Sequence, residues 1–151
     1  MPDMTGWSNA EIAEYLSDKI DAYLSATGNN PTFRAGFGWL TPKPEVSEII
    51  YQIDFADGVT FSNDFAGSHG YCRGLAPASA FVLNVLYFPP NSIVSSNVGT
   101  ITINTDRTVS WLTTGGTLLC DVGSALRFVA PATQQEVTEV SLMLIGNYNL
   151  P

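Results

Sequence analysis

The single histidine of this 151-residue chain, His69, directly follows Ser68 in a glycine-rich stretch, so nucleophilic catalysis is the first chemistry to test. Neighbouring residues in an extended loop point apart, which keeps Ser68 and His69 from bonding as nucleophile and base, and no G-x-S-x-G elbow is present. His69 therefore reads as a residue that pins its loop by hydrogen bonding. Glycoside hydrolysis needs two carboxyl groups facing each other across a cleft. Asp54, Asp57 and Asp64 cluster in sequence, but Asp57 belongs to an Asp-Gly turn and Asp54 to the outer face of a strand. Asp106 and Asp121 likewise fall at turns. One histidine and two distant cysteines, Cys72 and Cys120, give no zinc-ligand spacing. Asp57 and Asp64 lack the D-x-D-x-D-G pattern of a calcium loop. The residues thus predict no catalytic, cofactor-binding or metal-binding set, and no cofactor. The cysteines read as two buried thiols of a protein made in a reducing cytosol, with a single bridge as the alternative.

Aromatic side chains are the remaining chemistry. Trp39, Tyr51, Tyr71, Tyr87, Trp111 and Tyr148 could stack on sugar rings. Tyr51 and Trp111 fall on inward strand faces and read as core. Trp39 and Tyr71 fall in stretches read as loops, and they are the candidate ligand-facing aromatics.

Composition narrows the function classes further. Charged residues are 13% of the chain, about half the usual share of roughly 25%, while apolar residues stand at an ordinary 45%. Six Lys and Arg against fourteen Asp and Glu give a net charge of −8. Nucleic-acid binding needs a basic face that displaces counterions, and anionic membranes need the same, so both are disfavoured. Residues 1–60 carry nine acids and three bases (net −6); residues 61–151 carry five and three (net −2). The longest nearly continuous apolar run, Ala80 to Phe88, falls far short of the ~20 residues of a membrane-spanning helix. The N-terminus shows no basic-then-apolar signal pattern.

These residues must be positioned by elements whose periods are legible. Residues 7–27 read as one amphipathic helix. Ser8 and Glu11 form a capping box, and Trp7 and Ile12 occupy the positions of a hydrophobic staple around it. Ile12, Leu16, Ile20 and Leu24 recur every four residues, and Gly28 is a natural stop. Trp7, Ile12, Leu16, Ile20 and Leu24 are the candidate contact face of the helix, turned either to the rest of the chain or to a partner. Residues 28–47, rich in Gly and Pro, read as an irregular connector that packs through Phe33, Phe37, Trp39 and Leu40.

From residue 48 the period is two. Residues 49–55 and 59–65 suggest a hairpin around Asp57-Gly58, residues 66–77 a glycine-marked loop, and residues 80–88 a strand apolar on both faces. Residues 99–104 and 107–113 suggest a second hairpin around Thr105-Asp106, with Ile101, Ile103, Val109 and Trp111 inward. Further segments follow at 117–122, 125–130 and 138–145. Seven or eight short strands predict a mainly β protein: an antiparallel, jelly-roll-like β-sandwich with one N-terminal amphipathic helix. Residues 1–47 are expected to form the helix and connector, for attachment or subunit contact, and residues 48–151 the sandwich. The doubly apolar strand at 80–88 and the last strand require cover on both faces, from the N-terminal residues or from another subunit.

The order Ala66-Gly67-Ser68-His69-Gly70-Tyr71-Cys72, Ala76-Pro77, Gly99-Thr100-Ile101-Thr102-Ile103, Leu126-Arg127-Phe128-Val129-Ala130-Pro131-Ala132-Thr133 and Val140 to Gly146 resembles a β-sandwich domain of tailed-bacteriophage virion proteins, tail-fibre-like and head-decoration proteins in particular. The resemblance spans residues 66–146, 81 of 151. The sequence departs from that pattern by one residue inserted between Cys72 and Ala76, and at Pro90-Asn91-Ser92 and Asp121-Val122-Gly123. The resemblance implies a non-enzymatic structural component of the virion, made in the host cytoplasm. It also implies a homo-oligomer, a trimer, in contact with other virion proteins. A carbohydrate-binding adhesin that recognises a host-surface glycan is the alternative.

Overall fold

The computed structural model describes residues 3–27 and 31–149, with the side chains of residues 23–27 outside that description. The chain divides into two compact units, Met1–Pro31 and Thr32–Pro151.

The first unit is helix α1, Asn9–Thr27. The capping box forms as the sequence predicts. The Ser8 amide donates to Glu11 Oε2 at 2.7 Å, and the Glu11 amide donates to Ser8 Oγ at 3.3 Å. Two amides that the first helical turn would leave orphaned are thereby satisfied. The Trp7 ring meets Tyr15 edge-to-face at 5.5 Å, one turn beyond the expected staple partner Ile12. The predicted stop at Gly28 lies outside the described residues.

The second unit is the sandwich: two antiparallel sheets of five strands each. Its strands are β1 (Thr32–Trp39), β2 (Ile49–Asp54), β3 (Val59–Phe61), β4 (His69–Cys72), β5 (Phe81–Phe88), β6 (Ser96–Ile103), β7 (Val109–Thr113), β8 (Leu118–Cys120), β9 (Ala125–Val129) and β10 (Val140–Tyr148). One sheet runs β1-β10-β3-β8, with β4 also paired to β10; the other runs β2-β9-β5-β6-β7. β1, β2 and β3 pass in turn between the sheets and so do β7 to β10, whereas β3 and β4 share one sheet and β5, β6 and β7 run as consecutive neighbours in the other.

Three expectations are corrected. The stretch 32–39 is a strand rather than a connector, paired along its whole length with β10. Phe33, Ala35, Phe37 and Trp39 turn inward with period two, while Thr32, Arg34, Gly36 and Gly38 turn out. The glycines, ordinarily loop signals, are required here. A Cβ on Gly38 would lie 2.0 Å from the Val140 carbonyl oxygen, so only glycine lets the two backbones approach. The sandwich unit therefore takes in residues 32–47, which the sequence had joined to the helix.

Second, Asp57-Gly58 does not turn a hairpin. β2 pairs with β9, and β3 pairs with β10 and β8, so the turn is an arch from one sheet to the other. Both segments alternate because they face the same core from opposite sides. Third, His69–Cys72, expected as loop, forms β4 against β10. The β6–β7 hairpin stands as predicted, with Ile101 opposite Trp111 and Ile103 opposite Val109.

The core lies between the sheets. Phe61, Phe65, Phe81 and Phe128 are fully buried, as are Leu83, Ile101, Ile103, Leu126 and Leu144. Burial of each such side chain stabilises the fold by about 1.5–3 kcal/mol. Phe33 meets Phe55, Phe61 and Tyr148 with centroids 5.6–5.7 Å apart, and Phe65 carries the aromatic series on to Trp111 at 6.1 Å. β5 and β10 occupy interior positions in their sheets, so neighbouring side chains half-bury the outward Val82, Leu86, Phe88, Met143 and Ile145.

Candidate functional site

Strand period decides which candidate residues reach the surface. Ser68 and His69 part as expected. Ser68 Oγ accepts the Ile145 amide at 2.9 Å, while His69 lies exposed on the outer face of β4 with its ring 5.9 Å from that of Tyr71. Asp64 is tied to β7: its amide donates to Thr113 Oγ1 at 2.8 Å, and its Oδ1 accepts the Thr113 amide at 3.0 Å. It closes the corner between the short helical turn Asn63–Phe65 and the sheet edge. Cys72 and Cys120 are both buried and free, and burial pushes the Cys120 thiol up to about 12, with a further contribution from Asp121. A thiol so far from ionisation is inert packing. Among the described residues, no cluster of three metal-ligating side chains occurs.

The two candidate aromatics separate. Trp39 is the last residue of β1, half-buried, with its ring 5.6 Å from Phe81 and its indole N–H donated to the Val137 carbonyl at 2.9 Å. It anchors the β9–β10 connection to the core. Tyr71 is 52% exposed. On one side stands His69; on the other the Arg73 guanidinium lies 4.8 Å from the ring centroid. Residues 69, 71 and 73 follow the period of two, so they form a ridge along one outer face. Two strands away, Gly36 and Gly38 leave a shallow trough of about 400 Å³ floored by Ser141 and Met143.

On the helix, Trp7, Leu16 and Ile20 are exposed and Ile12 is half-buried; among the described residues, the helical unit by itself contains no core for this stripe. The Leu24 side chain lies outside the described residues. No described helix is long and apolar enough to cross a membrane.

Two further features escaped the sequence. The first is apolar exposure at the ends of the sandwich. At the end carrying the β5–β6 and β8–β9 loops, Ile93 is 95%, Val94 72% and Val122 63% exposed. At the opposite end Leu40 and Leu75 are exposed, joined through the loop before β10 by the Glu139 amide on the Leu40 carbonyl and the Thr138 amide on the Leu75 carbonyl.

The second feature is a cleft of about 470 Å³ on the outer face of the β2-β9-β5 sheet. Register places Asp54 opposite Ala125 and Ala125 opposite Phe88, so a small side chain floors a gap between two larger ones. One row along, Gln52 stands opposite Arg127. Arg127 Nε donates to Gln52 Oε1 at 2.9 Å, its guanidinium lies 4.5 Å from the Phe88 centroid, and Gln52 Nε2 reaches both Asp54 oxygens at 3.4 Å. Pro89, Ser92, Ile93 and Gly123 form the rim. The only signal in the sequence was the polar pair Gln52 and Asp54 at alternate strand positions; Arg127 and Phe88 are remote in the chain and meet only through register.

No family model, curated protein or solved structure matches this chain.

Proposed function

We propose that this chain is a structural protein of a bacteriophage virion, a head or tail decoration or fibre-type component that works by packing and not by catalysis. The observation that carries this reading is the apolar exposure at both ends of a sandwich poor in charge, with Ile93 and Val94 at one end and Leu40 and Leu75 at the other. Exposed apolar groups concentrated in this way fit a surface covered by neighbours. The ordered motifs shared with phage virion sandwiches support it. In this fold they occupy β4, the entry to β5, β6, β9 and β10, so the likeness follows the framework and its departures fall in loops.

The assembly proposed is a homo-oligomer, a trimer, set among other virion proteins. Sedimentation of the purified full chain is expected to give one discrete species at a multiple of 16.2 kDa. Antibody against it is expected to label intact particles. A monomer at micromolar concentration, together with unlabelled particles, would overturn the reading.

A second reading, a host-attachment adhesin that binds surface glycan, is favoured by the ridge at His69, Tyr71 and Arg73. An exposed aromatic ring beside polar side chains suits stacking on a sugar. Loss of whole-cell binding on Tyr71→Ala, with the fold intact, is its test.

A further inference from the structure

We infer that the Asp54–Gln52–Arg127 cleft is a binding site for an uncharged saccharide ring. The inference deepens the adhesin reading by giving it a separate site, and it stands whether or not the chain assembles into a particle.

Arg127 is held twice, by Nε on Gln52 and by the stacking of its guanidinium on Phe88. Among the described residues its Nη groups have no protein acceptor, so planar donors stand pre-oriented without a partner. Gln52 fixes the other end of the relay. Its carbonyl is occupied by Arg127 and its amide leans on the Asp54 carboxylate, which keeps lone pairs to spare.

The cleft therefore offers donors and acceptors side by side, with Arg127 the one held by both a hydrogen bond and a stacking contact. That combination selects its ligand by charge. An anion would gain Arg127 but face Asp54 in a chain of net charge −8. A cation would gain Asp54 but face Arg127. A pair of neighbouring hydroxyls meets both demands, since each hydroxyl donates and accepts. Phe88, Pro89 and Ile93 supply apolar walls for the C–H face of the ring. The volume of about 470 Å³ lies within the range of small-molecule sites and accommodates one or two sugar units.

The test uses the full chain, labelled with nitrogen-15, titrated separately with methyl glucoside, methyl galactoside, methyl mannoside and N-acetylglucosamine, and with N-acetylneuraminic acid as the anionic control. Concentrations reach about 20 mM, which covers millimolar dissociation constants. At least one sugar is expected to shift the amides of Ser92, Gly123 and Arg127. Arg127→Leu and Asp54→Asn are each expected to weaken that sugar at least about tenfold while the remaining amide spectrum keeps its dispersion. Tyr71→Ala is expected to leave the binding unchanged.

Silence of the cleft amides towards all four sugars would overturn the inference. So would shifts confined to the Tyr71 ridge, or a preference for the anionic N-acetylneuraminic acid. None of these results bears on whether the chain forms an oligomer or labels particles.

Discussion

The two outer faces of the sandwich are built from the same alternation and end in different surfaces. On the β1-β10-β4 side, backbone approach sets the relief: Gly36 and Gly38 cut a trough, and Tyr71 rises beside it between His69 and Arg73. On the β2-β9-β5 side, side chains set it, with Ala125 as the floor between Asp54 and Phe88 and a hydrogen-bonded relay across two strands. The first face exposes a ring flanked by His69 and Arg73. The second ties its Arg127 to Gln52 by a hydrogen bond and stacks it on Phe88. An exposed aromatic draws the eye in a sequence, yet preorganised donors and acceptors distinguish a binding site from a surface.

Substitutions can test this contrast, and the largest effect is expected at Gly38. Any Cβ there meets the Val140 carbonyl at 2.0 Å, and Val140 carbon at 2.9 Å, both backbone atoms that cannot step aside. Gly38→Val is expected to cost about 3 kcal/mol or more in urea unfolding. Gly36→Ala, whose only tight contact is the flexible end of Met143 at 3.3 Å, is expected to cost less than about 1 kcal/mol. Equal costs would show that the backbones at Gly38 can part and that the trough is not set by close approach.

A smaller effect belongs to the aromatic that turned inward. Trp39→Phe keeps an aromatic ring but strands the Val137 carbonyl, so a loss of about 1–2 kcal/mol is expected. Tyr71→Ala, on the exposed ridge, is expected to change stability by no more than about 0.5 kcal/mol. A large loss at Tyr71, measured in the same urea series, would mean that the ridge is part of the framework.

The gentlest probe is acid. The Ser8 amide, then its hydroxyl, hold the Glu11 carboxyl below its ordinary value of 4.5, and the Thr108 hydroxyl and amide hold Asp106 below 3.8. A carboxyl depressed in the folded state contributes fully above its ordinary value and loses that contribution as pH falls through the folded value. The start of α1 and the β6–β7 turn are therefore expected to loosen below about pH 4, with little change between pH 5 and 8. Hydrogen exchange of the amides of Ser8 and Thr108 reads this directly. Protection of both that persists well below pH 3 would sever the link to these carboxylates.

Much of the framework was legible in local pattern. The capping box at Ser8 and Glu11 needs only residues three apart, and it forms as read. The hairpin around Thr105-Asp106 needs two alternating runs and a turn, and its register places Ile101 opposite Trp111. Strand β1 was hidden because Gly36 and Gly38 look like loop residues until β10 is seen beside them. Strand β4 was hidden among glycines for the same reason. Asp57-Gly58 has the composition of a hairpin turn, but composition cannot tell a turn within a sheet from an arch between sheets. The ridge was half legible, through Tyr71. The cleft was not, because its relay joins residues 52, 54, 88 and 127 from three strands.

The sequence alone determined the class of this molecule: a capped helix followed by short strands of period two, poor in charge and with alternate side chains committed to a core. Those properties depend on neighbours a few residues away, where backbone geometry fixes which side chains share a face. The tertiary structure alone decided which strands became neighbours, why β1 needs glycine against Val140, and that Arg127 comes to lie on Phe88 beside Gln52. Alternation sets the face of each residue but leaves its partner open, and pairing is settled only when the whole core closes with its ladders satisfied.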